Sequence, residues 1–123
     1  MRDAANEIDV IQTSLIRALA SPQRLRILHL LGVGPMEVNE LARELAVGQA
    51  TISQHLAAMR AVGLVESTRD GRSVSYRLTD ADILIACDLM RQVIVRRLSA
   101  LGSLAATARQ INPGTPAIQV TQP

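Results

Sequence analysis

The chain contains no lysine, no phenylalanine and no tryptophan, and only one cysteine and one tyrosine. Each shortage excludes something. A single cysteine cannot close an intramolecular disulfide. With Tyr76 the sole aromatic residue, the core has to be aliphatic, built from Leu, Ile, Val, Ala and Met, although hydrophobic residues make up 48% of the chain. At 123 residues there is enough of them for one domain with a modest core. No apolar run reaches the length of a bilayer span, and the first ten residues, MRDAANEIDV, are charged and lack an apolar signal core. A cytoplasmic protein without a membrane partner is therefore expected. No nucleophile–base pair, glycine-rich phosphate loop or metal-ligand cluster is evident, so no enzyme activity, cofactor or metal is expected.

What is present concentrates in Val38–Leu64, VNELARELAVGQATISQHLAAMRAVGL. Val38, Leu41, Ala42 and Leu45 recur at i, i+3, i+4 and i+7, the period of one helix face; Ile52, Leu56, Met59 and Val62 define a second such face. A tight turn separates them, and Gly63 breaks the second helix. Between its apolar positions the second helix, about residues 50–62, carries Gln49, Thr51, Ser53, Gln54, His55 and Arg60, a set of donors and acceptors without an acid. A helical hairpin with a solvated outer face would show the same periodicity. The polar set, however, suits base edges and phosphates in a DNA major groove. Two short helices with the second polar in this way is the helix-turn-helix plan.

The next stretch, LVESTRDGRSVSYRL, raises the specificity of the pattern. Val65–Thr68 and Val74–Arg77 are β-prone, and Asp70-Gly71 between them is a strong hairpin signal because glycine tolerates positive φ. Arg69 and Arg72 flank the turn and Arg77 lies on the return strand. An arginine-bearing hairpin over 65–77, directly after a recognition helix, is the wing of a winged helix. Charge location agrees. Residues 49–77 hold four arginines against two acids, while the remainder balances nine against nine, so the whole net charge of +2 lies in this reading head. All-arginine usage gives planar, bidentate donors for phosphate and guanine, though a GC-rich genome would produce the same bias.

Together, ALASPQRLRILHLL (Ala18–Leu31) and the run from Val38 to Asp82 resemble the ArsR/SmtB family of bacterial winged-helix repressors. The opening matches "LADPTRLRIL", the second helix "S-x-HL-x-x-L-x-x-GLV" and the hairpin "x-x-GR-x-x-x-Y-x-L". The likeness spans about residues 15–100. It implies a mainly α fold with a small β-hairpin, in the order α-α-α-α-β-β-α, that is dimeric. It also implies a DNA-binding transcriptional regulator, a homodimeric repressor that binds double-stranded DNA at an inverted-repeat operator and releases it on a signal. Two other readings stay open: a winged-helix protein-interaction module, and a repressor acting with a protein co-regulator. An interaction surface would more often expose an apolar or aromatic patch than this polar face.

The resemblance also shows what is missing. Where metal-binding members carry C-V-C-D-L, this chain has Glu37-Val38-Asn39-Glu40-Leu41, with no thiolate for a soft metal. The last-helix ligand set would fall on Asp80, Asp82, Val93 and Arg96, of which two cannot ligate. Asp80 and Asp82 instead favour a helix N-terminus through its dipole. Redox members use a cysteine pair; Cys87, among Ile85, Ala86 and Leu89, reads as a small core residue. His29 reads as structural or surface, and His55 as a residue that touches phosphate or buttresses its helix. Gly48 stands where the family often has serine and can still serve as N-cap.

The flanks complete the expectation. Ile8–Ala20 is amphipathic through Ile8, Ile11, Leu15, Ile16 and Leu19; Ser21-Pro22 starts a helix that stops after Leu31 at Gly32–Pro35. After the wing, Thr79 or Asp80 caps a long helix to about Ala100, with Gly102 a weak point before Ala108. It is apolar nearly all round, so it must be covered from more than one side. Ile83, Leu89, Met90, Val93, Ile94 and Leu98 are the expected dimerisation residues. Residues 1–111 then form one winged helix-turn-helix domain with dimerisation helices at both ends. Residues 112–123, with three of the five prolines and no charge, form a disordered tail.

Overall fold

A computed structural model describes the backbone of residues 3–111, and the side chains of all of these except 105 and 108–111. The elements run α1 (Ala4–Leu19), α2 (Pro22–Val33), β1 (Met36–Glu37), α3 (Val38–Leu45), α4 (Gln49–Ala61), β2 (Val65–Asp70), β3 (Ser73–Leu78) and α5 (Asp82–Ile111). The expected order holds, with one addition. Met36–Glu37 is a two-residue strand that pairs with β3, Met36 opposite Tyr76 and Glu37 opposite Ser75, giving a three-stranded antiparallel sheet in the order β1-β3-β2.

Local chemistry sets the helix starts. The Asp3 carboxylate accepts the Asn6 N–H at 2.8 Å, so α1 begins four residues earlier than its apolar pattern, whose first member is Ile8. Ser21 caps α2 and Pro22 takes the first helical position. Glu40 reaches back to the Glu37 N–H at 3.0 Å at the head of α3. Asp80, one of the two residues expected to cap α5, accepts the Asp82 N–H at 2.9 Å ahead of that helix.

Two boundaries differ from the sequence reading. Helix α2 runs through Gly32 to Val33, because Gly32 is used for a close approach rather than a stop. A Cβ at that position would overlap the Leu84 side chain. Helix α5 continues through Gly102 to Ile111, since nothing crowds the glycine and one such residue costs a helix only about 1 kcal/mol.

The chain divides between Leu84 and Ile85, inside α5. In the first unit the core is aliphatic, as its composition requires. Ile27 and Leu28 of α2, Leu41 of α3, Ile52, Leu56 and Met59 of α4, and Val65 of β2 are fully buried. Each such side chain contributes about 1.5–3 kcal/mol of burial. Helix α1 adds little to this core: Ala18 is buried, Leu15 and Leu19 are half-buried, and Ile8, Ile11 and Ile16 are exposed. The second unit is the helix itself, on which Leu89, Met90, Val93, Ile94 and Leu98 are exposed; Ile83, just before the division, is half-buried. Among the described residues no helix is long and apolar enough to cross a membrane. The tail expected over 112–123 lies outside the described residues.

Candidate nucleic-acid interface

The α3–α4 connection is three residues, Ala46-Val47-Gly48. Ala46 takes the left-handed conformation at φ 53°, and the Val47 N–H closes onto the Ala42 carbonyl at 3.0 Å, so the chain reverses at once. Gly48 caps α4 in extended conformation without a side chain. Burial of Ile52, Leu56 and Met59 fixes the roll of α4 and decides what its other side presents.

That side shows Gln49, Ser53, Gln54 and Arg60 to solvent, while Thr51 is half-buried. Ala50 and Ala57, absent from the expected set because alanine carries no hydrogen-bonding side chain, lie exposed among them. Their methyl groups can meet a thymine methyl and let the helix approach closely. The signal for them is present in the helical spacing from Ser53 and Gln54. Arg43, exposed in the last turn of α3, lines a shallow groove with Asn39, Ala42, Val47, Gly48 and Gln49 at the head of α4.

His55 faces the other way. Its ring is half-buried, and both ring nitrogens are engaged. Arg24 Nε donates to Nδ1 at 3.0 Å, and Nε2 pairs with Gln23 Oε1 at 2.7 Å. Arg24 Nη1 also donates to the Ala18 carbonyl at 3.2 Å, which ties α1 into the same network. Burial first, and the Arg24 charge second, hold the imidazole below the ordinary histidine value of 6.5.

The wing is a two-residue hairpin. Its strands are longer than the β-prone runs, with Asp70 paired to Ser73, so the loop is Gly71-Arg72 rather than Asp70-Gly71. Gly71 has φ 62° as the first loop residue, and Arg72 is not among the positive-φ positions, the arrangement of a II′-like turn. Register separates the three arginines. Arg69 shares a face with Val65 and Ser67, Arg77 lies on the opposite face across from Glu66, and Arg72 sits at the tip. Arg77 Nε meets Glu66 Oε1 at 2.7 Å in a half-exposed ion pair. Arg69 and Arg72 are exposed.

Among the described residues, no three His, Cys, Asp or Glu side chains come together. Glu37 and Asn39 lie at the head of α3, with the Glu37 N–H already taken by Glu40. Cys87 is buried, and burial followed by the neighbouring Asp88 charge pushes its thiol up, away from the reactive thiolate.

Helix-turn-helix, Arg-tipped hairpin and long following helix together define a winged helix-turn-helix protein. The sequence pattern described as "Bacterial regulatory protein, arsR family" matches residues 21–67. The biofilm growth-associated repressor of Xylella fastidiosa is 37% identical over 81 residues, 66% of this chain and 68% of that one. The transcriptional regulator NmtR of Mycobacterium tuberculosis is 41% identical over 70 residues, 57% of this chain and 58% of that one. The solution structure of a homodimeric winged helix-turn-helix DNA-binding domain from Mycobacterium bovis superposes with a TM-score of 0.73 at 29% identity, covering 81% of this chain and 93% of that one. The chain belongs to the arsR family of bacterial regulatory proteins.

Proposed function

We propose that the chain is a DNA-binding transcriptional repressor that acts as a homodimer on an inverted-repeat operator. The observation that carries this is the acid-free outer side of α4. Burial of Ile52, Leu56 and Met59 turns Gln49, Ser53, Gln54 and Arg60 outward together, with only alanines between them. In this docking geometry residues early on the recognition helix reach base edges in the major groove. Gln49, Ser53 and Gln54 therefore read sequence, and Thr51 and Arg60 flank the same face. Arg69 and Arg72 follow the phosphate backbone or enter the minor groove. Arg77 serves the wing as the partner of Glu66 and touches phosphate only when that pair opens. His55 buttresses α4. The dimer closes through the exposed apolar side of α5, at Leu89, Met90, Val93, Ile94 and Leu98, with Ile83 at its root and α1 assisting. That the chain acts in the cytoplasm, without catalysis, cofactor or metal, belongs to the same reading.

The test is selection of bound duplexes from a random pool, then anisotropy titrations over a salt series. The selected site should be an inverted repeat. Gln54→Ala should relax preference at defined positions, by about 1–3 kcal/mol for each bidentate hydrogen-bonded pair with a base that the truncation removes. Arg72→Ala should weaken selected and scrambled DNA alike, with a salt slope shallower by about one unit per wing. If no duplex is enriched, or neither substitution changes affinity, preference or slope, the protein-interaction reading replaces this one.

A further inference from the structure

Both groups that hold His55 come from α2, 31 and 32 residues away in sequence, and Arg24 in turn donates to the Ala18 carbonyl of α1. None of the outward side chains Gln49, Ser53, Gln54 or Arg60 takes part. The network also allows only one protonation state. A guanidinium has no acceptor, so the 3.0 Å approach of Arg24 Nε requires a bare lone pair on His55 Nδ1. Nε2 must then carry the ring proton and donate it to Gln23 Oε1. A second proton, taken from solvent at Nδ1, would set N–H against N–H and place an imidazolium against a guanidinium.

Resting on the DNA-binding reading above, we propose that Gln23 and Arg24 are positioning residues for the recognition helix, and that the neutral His55 ring they clamp is a proton-operated lock on DNA binding. With the lock closed, α4 is tied to α2 and, through Arg24 and the Ala18 carbonyl, to α1. Protonation removes the Arg24 bond and replaces it with a repulsion, loosening α4 at its midpoint between Gln54 and Leu56. Arg24 is the charged group that faces the ring. Helix α1 contributes only a carbonyl. Among the described residues, no charged side chain of α3 or β2 makes a hydrogen bond or ion pair with the ring. The lowered basicity of His55 has the sign the lock needs. Its neutral form is favoured in the fold, so the lock is closed near neutral pH and opens only as pH falls through the ring's own lowered value.

The sign of the pH effect separates this role from a phosphate contact. A histidine that touches phosphate gains charge on acidification and tightens DNA binding. A lock weakens it. If the protonated ring is incompatible with the bound geometry, a dimer with both rings half protonated is one-quarter competent, and Kd rises about fourfold.

The experiment uses the full ¹⁵N-labelled chain. Long-range ¹H–¹⁵N spectra report the tautomer and protonated fraction of His55 at each pH, and anisotropy with a duplex selected at pH 7.5 reports Kd at the same points. The expected results are an Nε2–H tautomer at pH 7.5 and a Kd that rises in step with the protonated fraction. His55→Asn, which keeps an acceptor for Arg24 but cannot titrate, should lose that part of the pH dependence whatever its affinity at pH 7.5, and a Kd that still rises on acidification as in wild type overturns the proposal. In Arg24→Gln the ring should titrate closer to 6.5 and affinity should fall severalfold at pH 7.5. An Nδ1–H tautomer overturns the proposal, as does a ring that stays neutral down to acid unfolding. So does a Kd that holds steady or falls while the ring protonates. A wild-type chain that binds no duplex at pH 7.5 sinks the DNA reading instead, and the ring spectra, which need no variant, then judge the lock alone.

Discussion

Ile94→Glu tests the proposed dimer most directly. Ile94 is 50% exposed in the single chain, in the middle of the apolar side of α5. Fully burying an isoleucine side chain is worth about 1.5–3 kcal/mol, so covering the exposed half contributes about 1 kcal/mol per subunit. A twofold interface contains every substitution twice, which makes the lost apolar burial about 2 kcal/mol per dimer. The carboxylates add to this. Each must either be buried charged or take up a proton, and a pKa raised by about two units costs about 2.7 kcal/mol. With two carboxylates per dimer the total is about 7 kcal/mol, or about a hundred-thousandfold in dimer dissociation. A dimer that holds at nanomolar to micromolar concentration becomes a monomer.

The assay is sedimentation velocity between about 1 and 50 µM, with circular dichroism to confirm that the helices persist. Gln92→Glu is the control. At about 100° per residue it lies some 200° around the helix from Ile94, so it adds the same charge away from the proposed seam. Wild type and Gln92→Glu should sediment as dimers and Ile94→Glu as a monomer with little operator affinity. A monomeric wild type at these concentrations would refute the dimer. A dimeric Ile94→Glu would refute this face of α5 as its seam.

Gly32→Ala should lose about 1–2 kcal/mol of stability in urea unfolding. Overpacking against Leu84 costs about 1–3 kcal/mol, and the gain in helix propensity returns only part of it. Combined with Leu84→Ala, which makes room for the new methyl, it should cost far less; simple additivity would show that the close approach is not the cause. Glu66→Ala should change stability by less than about 1 kcal/mol, since both partners of its ion pair are near half exposed. The same change frees Arg77 and removes an acid from the wing. Binding to non-specific duplex should tighten and its salt slope steepen by about one unit per subunit, and an unaltered slope would show that Arg77 does not reach phosphate.

What the sequence made legible follows from how far apart the determining residues lie. The α3–turn–α4 segment and the hairpin are local, set by helical period, a turn and alternating β-prone residues within about thirty positions. Both can be read directly. Strand β1 cannot, because two residues show no period and Met36–Glu37 is a strand only through β3, some forty residues on. The hairpin loop is displaced by one residue for a similar reason. Asp70-Gly71 satisfies the turn rule locally, but pairing of Asp70 with Ser73 makes Gly71-Arg72 the better closure. His55 looks outward in a polar run, yet its orientation is decided by Gln23 and Arg24 on another helix. Ala50 and Ala57 are visible in the spacing and escape only a search confined to hydrogen-bonding side chains.

Pairing also refines the charge argument. Net charge locates the reading head, since the whole excess of +2 falls within residues 49–77. Four arginines and two acids do not act there as an average. Glu66 occupies Arg77, and Asp70 sits one residue from the loop that carries Arg72. On the proposed reading, the arginines left to face DNA are the exposed Arg60, near the end of α4, and Arg69 and Arg72, at the end of the wing. Positive charge therefore stands at two points, one on the recognition helix and one on the hairpin, with the neutral group Gln49, Ser53 and Gln54 at the other end of α4. Phosphate contacts fix register while base contacts specify. Such a division predicts that substitutions at the charged points act mainly on salt dependence, and substitutions at the neutral group mainly on choice of sequence.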